Sequence, residues 1–369
     1  MKARPPRNLF VTGATGGIGR ELVRMFLEET PDRLFLLVRA KNSDSEEVRI
    51  EKLLKKIGTN GASKDRIRVV SGDLTQPRLG LSPGDWETVT RQTDEFYHIA
   101  ALTNLGAEWD LSEKINLHGT NCVLETAKEA LRSGRLKRFF YFSTAYVAGS
   151  FTRICSLEDE LPENPSFANN YEATKYLAEK RVREEMAQGL PAVIFRPSIV
   201  VGDSKRGAVS EFKVIYPFWR LFAHGLLKKL PSRLENSFNI VPIDFVVEAA
   251  FHLSRRDDSV GKTFHLVTEN PPTLGLLLRV KEEFGISSPV EVIPPEEFSV
   301  ETLDPFEREI FSKIDPYLGY LTSSLSFDTQ NARKFLRGTG TDFPKTDRNF
   351  LKKVLGYALE KGYFLKLTA

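Results

Sequence analysis

Cysteine is nearly absent from this chain of 369 residues, which has only Cys122 and Cys155. Neither sits in the close pairing that a zinc site or redox dithiol needs, so no metal is expected, and both read as ordinary thiols in a reducing compartment. Charge of one sign is lacking too. The 52 Lys+Arg against 49 Asp+Glu leave no global basic field to hold nucleic acid. No stretch approaches the length of a membrane span, and the apolar run Asn8 to Val11 is too short for the core of a secretory signal. Repeats and low-complexity tracts are absent as well. Together these absences predict a cytoplasmic protein. Its length suits one large α/β domain with a substrate-binding annex, or two domains.

What is present is a rhythm of strands and helices over the first two hundred residues. Strands are expected at Asn8 to Thr12, Leu34 to Val38, Ile67 to Ser71, Glu95 to Ile99, Arg138 to Ser143 and Ala192 to Arg196. Helices are expected at Gly17 to Glu29, Trp109 to Leu131 and Ala168 to Met186. This is the pattern of an α/β fold with a doubly wound parallel Rossmann sheet. After Gly202 the rhythm loosens. Phe238 to Val241 with Asp244 to Ser254, and Lys262 to Val267 with Thr273 to Phe284, read as two returns to it. Residues 1–205, with returns at about 238–270, are therefore assigned to the nucleotide-binding part. Residues 206–237 and 271–369, ending in a helix at Arg348 to Lys361, form a smaller C-terminal substrate-binding lobe.

The run Thr12-Gly13-Ala14-Thr15-Gly16-Gly17-Ile18-Gly19 follows a strand and opens a helix, the setting in which glycine spacing makes a phosphate site. Gly13 suits the tight turn, Gly16 the approach of a pyrophosphate, and Gly19 close packing of the helix, whose N-terminus faces the anion. The alternative is a glycine turn that serves packing alone. After the second strand, where an NAD site would place an acid, the chain reads Val38-Arg39-Ala40-Lys41. Arg39, helped by Lys41 and Arg20, favours the 2′-phosphate of NADPH, against the plainer reading of a solvated arginine at a strand end. Asp73, followed by Leu74, suits the adenine amino group, and Ala100 and Ala101 give small residues beside a ribose. An Asp after a strand is also a common turn former.

Tyr171 and Lys175 lie four residues apart on one helix face, where an ammonium can lower a phenol pKa and make it a usable proton donor. The spacing alone occurs by chance in many solvated helices. Its weight comes from Ser143 and Thr144, which end a buried strand at the sheet edge where ligands bind. Thr144, or less readily Ser143, would donate to a carbonyl oxygen while Tyr171 donates from the other side.

In order along the chain, Thr12 to Gly19, Arg39, Asp73, His98 to Ala101, Asn116 to Thr120, Ser143 to Val147, Tyr171 to Lys175, Arg196-Pro197-Ser198 and Val241 to Asp244 resemble the extended short-chain dehydrogenase/reductases. The resemblance covers roughly the first 270 residues. It implies that Asn116 sits on the central helix and that Pro197 and Ser198 lie beside the nicotinamide carboxamide. Leu37-Val38-Arg39, Ser143 to Val147 and Phe327 to Arg333 are most similar to fatty acyl-CoA reductases and thioester reductase domains, although Gly17-Ile18 departs from the pair those proteins carry before the third glycine. The implied reaction is NADPH-dependent hydride transfer to an acyl thioester, acyl-CoA or carrier-protein-bound acyl, giving aldehyde and in some cases alcohol. Sugar-nucleotide epimerases, dehydratases or reductases and hydroxysteroid-type dehydrogenases share the same motifs. A non-catalytic NADP-binding sensor would share the loop but commonly loses the Tyr or the Lys. Dimerisation through the Trp109 to Leu131 and Ala168 to Met186 helices is likewise implied by resemblance alone, so monomer and homodimer both stay open.

Phe212 to Leu230 is apolar and aromatic with embedded cations. It could roof a lipid-sized channel, with Lys213, Lys228, Lys229 and Arg233 for a phosphopantetheine or coenzyme A phosphate. Peripheral membrane contact is a second use of such a face. An inter-lobe helix with a solvated basic side is the third.

Overall fold

The computed structural model describes residues 5–39, 46–58, 61–149, 155–286, 288–322 and 325–364. Lys41 lies outside them. The elements of the first half are β1 (Asn8–Thr12), α1 (Gly17–Glu29), β2 (Arg33–Val38), α2 (Glu46–Ile57), β3 (Ile67–Ser71), α3 (Pro83–Gln92), β4 (Glu95–His98), α4 (Trp109–Ser112), α5 (Gly119–Arg132), β5 (Arg138–Phe142), β6 (Cys155–Ser156) and α6 (Asn170–Ala187). Those of the second half are β7 (Ala192–Pro197), β8 (Ile199–Val201), α7 (Ile215–Ala223), β9 (Lys229–Pro231), β10 (Ile240–Pro242), α8 (Ile243–Ser254), β11 (Thr263–Leu266), α9 (Leu274–Glu283), β12 (Glu291–Ile293), α10 (Pro305–Thr322), β13 (Ser326–Phe327), α11 (Gln330–Leu336) and α12 (Arg348–Glu360).

Seven strands form one parallel sheet in the order β11-β7-β5-β4-β1-β2-β3. Strands β1, β5 and β7 are mostly apolar because helices cover both faces, and β5 (Arg-Phe-Phe-Tyr-Phe) is buried throughout. Helices α1 and α8 share one face with Phe26, Tyr97 and Phe140, while α5 and α6 cover the other with Phe96, Phe139 and Tyr141. The direction of strand addition reverses between β1 and β4, and a doubly wound sheet opens a crevice at the carboxyl ends of the strands there. The expected strands and the glycine-led helix are all found. The first return, β10–α8, pairs with β8 rather than with the main sheet. In the second, β11 becomes the edge strand beside β7, and α9 packs in the second core.

The run Trp109 to Leu131 is not one regular helix. It is α4, a π-helical turn at Glu113–His118 and α5. Such a turn changes the rotation of the residues it carries, here Asn116, and π turns concentrate at functional places.

A separate apolar core gathers α7, α9, α10 and α12. Helix α7 points Ile215, Tyr216, Phe218, Trp219 and Phe222 into it, and Trp219 is completely buried. The aromatic face of the Phe212 to Leu230 run is thus committed to this core. No helix among the described residues is long and apolar enough to cross a membrane.

Candidate active site

A cavity of about 520 Å³ lies over the carboxyl ends of β1, β4, β5 and β7 and extends beneath residues 209–214. Its first wall is the glycine loop. Gly13 has φ +76°, and a Cβ there would stand 2.6 Å from the backbone nitrogen of Ala100; a Cβ on Gly19 would meet the Gly13 carbonyl oxygen at 2.1 Å. Only glycine fits either position. Gly16 caps α1 without a side-chain bond, so the first N–H groups of the helix are open to the cavity. The backbone from Gly13 through Thr15, Gly16, Gly17 and Ile18 to Gly19 lines this end together with Arg39, Leu74, Ala100 and Ala101.

The middle of the cavity is lined by Ser143, Thr144, Tyr171, Lys175, Pro197 and Ser198. Thr144 caps the turn after β5, accepting from the Tyr146 N–H at 3.3 Å and donating to the Pro197 carbonyl at 3.4 Å. Its hydroxyl also lies toward the Tyr171 phenol. Ser143 has a buried hydroxyl with no partner at hydrogen-bonding geometry, lying toward the Glu179 carboxylate. Tyr171, Lys175 and Glu179 fall at i, i+4 and i+8 of α6, which Asn169 caps by accepting from the Glu172 N–H at 3.0 Å.

The electrostatics differ from the sequence expectation at one point. Burial raises the Tyr171 phenol to about 12, with the nearby Glu172 pushing the same way and the Thr144 hydroxyl opposing it. Burial also lowers Lys175 to about 7, against the pull of Glu179. The lysine is therefore only partly charged at neutral pH. It donates to Tyr141 Oη at 2.8 Å and the Phe142 carbonyl at 2.7 Å instead of bringing the phenol down.

Two expected cofactor residues stand behind the wall. Asp73 accepts from the Thr75 N–H and hydroxyl, both at 2.9 Å, and lies 3.4 Å from Arg39 Nε. Burial would raise its carboxyl, but these partners outweigh it and hold it low. Asn116 accepts from the Leu102 N–H at 2.7 Å and donates to the Leu102 carbonyl and to Thr174, clamping the loop after β4 to α6. Of the four cations proposed for a substrate phosphate, Lys213 alone lines the cavity, bonded to Thr103 and paired with Glu211. Lys228 and Arg233 are paired with Glu307 and Glu296.

Sequence reasoning missed Tyr146 and Tyr320, which meet edge-on at 4.6 Å and line the side of the cavity away from the glycine loop. Tyr146 belongs to a motif already singled out; Tyr320 comes from α10, far along the chain, and no local pattern marks it.

The residues present fit a dinucleotide. The glycine cradle is closed to any Cβ at Gly13 and Gly19, the α1 N-terminus has no side-chain cap, and the buried Ser198 hydroxyl has no partner among the described residues. Fold and site define the class as an extended short-chain dehydrogenase/reductase sheet that binds NAD(P). The chain belongs to the family described as Male sterility protein, whose model matches residues 11–250. It is 29% identical over 278 residues to the nonribosomal peptide synthetase asaC of Aspergillus flavus, covering 71% of this chain and 26% of that protein. It is 26% identical over 324 residues to fatty acyl-CoA reductase wat of Drosophila melanogaster, covering 77% of this chain and 62% of the relative. The chain thus spans less than two thirds of either one. The terminal R domain from the myxalamid PKS-NRPS pathway superposes with a TM-score of 0.83 at 27% identity, covering 98% of this chain and 94% of that domain. A UDP-glucuronic acid 4-epimerase from Bacillus cereus shares the fold at a TM-score of 0.67 and 15% identity.

Proposed function

We propose that the protein is an NADPH-dependent reductase of acyl thioesters, presented as acyl-CoA or on a carrier protein, which releases an aldehyde. The observation that carries this reading is the convergence of Thr144, Tyr171 and Lys175 on one cavity whose other end is the glycine cradle. Sequence likeness to fatty acyl-CoA reductase wat and to the myxalamid R domain supports the choice of thioester. Arg39, half exposed at the cavity rim beside Asp73, supports the choice of NADPH, because its guanidinium can pair with a 2′-phosphate.

The dinucleotide supplies the hydride. Thr144 and Tyr171 hold the thioester oxygen between two donors, and the negative charge that develops there is met by hydroxyls already in place. Tyr171, with its phenol near 12, stays protonated at neutral pH and gives its proton to that oxygen. Lys175, with one N–H left for the cavity, would hold the nicotinamide ribose. The thiohemiacetal so formed breaks its C–S bond to give aldehyde and thiol, and no covalent bond to the protein is required. Reduction of the aldehyde to the alcohol would use the same two hydroxyls. Lys213, at the cavity wall, is positioned for a phosphate on the carrier arm.

The test is to mix protein and NADPH with acyl-CoAs and acyl-pantetheines of graded length and to follow NADPH consumption and aldehyde. Oxidation with aldehyde release is expected. No oxidation at any length, together with NAD retained through purification, would overturn the reading in favour of sugar-nucleotide chemistry.

A further inference from the structure

We infer that Tyr141 is a positioning residue for Lys175, its buried hydroxyl holding the lysine amine charged and aimed at the cavity. The inference rests on the reductase reading for its meaning, though not for its measurement. A charged lysine has three N–H donors. Two are taken inside the protein, by Tyr141 Oη at 2.8 Å and the Phe142 carbonyl at 2.7 Å, leaving one for the cavity. Tyr141 lies on β5, is fully buried and does not line the cavity, so it touches neither substrate nor cofactor.

The state of His98, the imidazole nearest Lys175, follows from counting protons. The Thr120 hydroxyl donates to the Asn116 carbonyl at 2.5 Å and so has only lone pairs for its other neighbours. One neighbour is His98 Nε2 at 3.0 Å, which must then carry the proton. His98 is neutral, since burial and the nearby Lys175 lower it to about 3. Its Nδ1 accordingly accepts from Thr12 Oγ1 at 2.8 Å, a tautomer assigned from the network. The Tyr141 ring stands beside the His98 imidazole, and its hydroxyl accepts from Lys175 Nζ at 2.8 Å. The phenol thus presents a lone pair to Lys175. That lone pair favours the ammonium over the neutral amine, opposing burial. The titratable and charged groups around Lys175 are Glu179 and Tyr171 on its own helix, His98 on β4 and Tyr141 on β5. His98 is locked neutral, Tyr171 stays protonated, and Glu179 is committed to Arg196.

Tyr141→Phe removes one oxygen and leaves the ring under the lysine. NADPH affinity is titrated by fluorescence from pH 5.5 to 9 in wild type and variant, and kcat and thioester KM are measured over the same range. In the variant, the loss of affinity and of kcat with rising pH is expected about one unit lower than in wild type. At neutral pH kcat should fall about tenfold while KM for the thioester stays within about twofold. Replacing Tyr141 by 3-fluorotyrosine keeps the ring and hydroxyl but weakens the oxygen as an acceptor, and a smaller shift in the same direction is expected. It decides the matter if melting shows that Tyr141→Phe does not fold. Superimposable pH profiles overturn the inference even if activity is lower throughout, as does a wild type whose NADPH affinity has no such pH step. Protein that binds NADPH with this step but reduces no thioester would sink the reductase reading alone.

Discussion

Arg196 and Glu179 form an ion pair with no solvent exposure on either side chain, Nη2 lying 2.6 Å from Oε1 and Nε within 3.2 Å of both carboxylate oxygens. The guanidinium also donates to the carbonyls of Leu157, Glu158 and Glu160, so the pair joins β7, helix α6 and the segment that leads into it. Burial would raise the Glu179 carboxyl, but Arg196 and Arg183 hold it at about 2. The pair sits one turn beyond Lys175 and fixes the rotation of the helix that carries Tyr171. Glu179→Ala would leave a buried guanidinium without its counter-charge. It is expected to lose roughly 3–5 kcal/mol of stability, read by urea unfolding, while Glu179→Gln should lose less because it keeps an acceptor.

Thr144 and Tyr171 are proposed to hold one oxygen together, and their variants should separate binding from chemistry. Tyr171→Phe keeps the ring and removes the proton, so kcat is expected to fall by about 10²–10⁴ with NADPH affinity nearly unchanged. Thr144→Val should lower kcat by about 10²–10³. Single-turnover measurements with saturating NADPH would check both. Full activity in Tyr171→Phe would remove the phenol from the mechanism.

The sheet and the glycine cradle were legible because local pattern and tertiary demand coincide there. Strands buried between two layers of helices are mostly apolar, and a loop packed against the Ala100 backbone must carry glycine at Gly13. The Tyr171 and Lys175 spacing was legible for the same reason, since both occupy one helix face. Asn116 could be placed on a helix but not oriented, because a π turn uses the same residue types as an α turn. The aromatic run around Trp219 left a channel roof, a membrane face and an inter-lobe helix all open, because composition cannot say which partner an apolar face meets; here it meets α9, α10 and α12. Tyr141 carried a signal that went unused. A tyrosine among the phenylalanines of a buried strand brings a hydroxyl that needs a partner, and that partner is Lys175.

Arg39 offers a charge for selecting the cofactor. With Asp73 held ionised beside it, the guanidinium is fixed at the cavity rim. Arg39→Ser is expected to weaken NADPH binding by about 10- to 100-fold and to leave NADH binding within about threefold, as measured by fluorescence titration of each. Equal losses for both dinucleotides would assign Arg39 to loop structure.

Four buried groups with large shifts pull the pH dependence of stability in opposite senses between about 4.5 and 6.5. Glu172 accepts from the Ala168 N–H, and Glu158 from the backbone N–H groups of His265, Asn331 and Ala332, yet burial raises both carboxyls to about 7. For these two the folded state holds a proton that the unfolded state releases above its model value of 4.5, so their contribution is present at low pH and is lost as pH rises through 7. His98 and His265 act in the opposite sense. Burial lowers them to about 3, so the neutral form they need in the fold becomes costly as pH falls below their model value of 6.5. Lys175 adds no slope in this window, being protonated below about 7 in both states. The two pairs therefore oppose each other, and Glu172→Gln should unbalance them. Relative to wild type, the variant is expected to lose about 1.4 kcal/mol of unfolding free energy for each pH unit between 6.5 and 4.5. Urea unfolding of the two proteins at half-unit steps would check this, and parallel curves would show that Glu172 is ionised in the fold across that range.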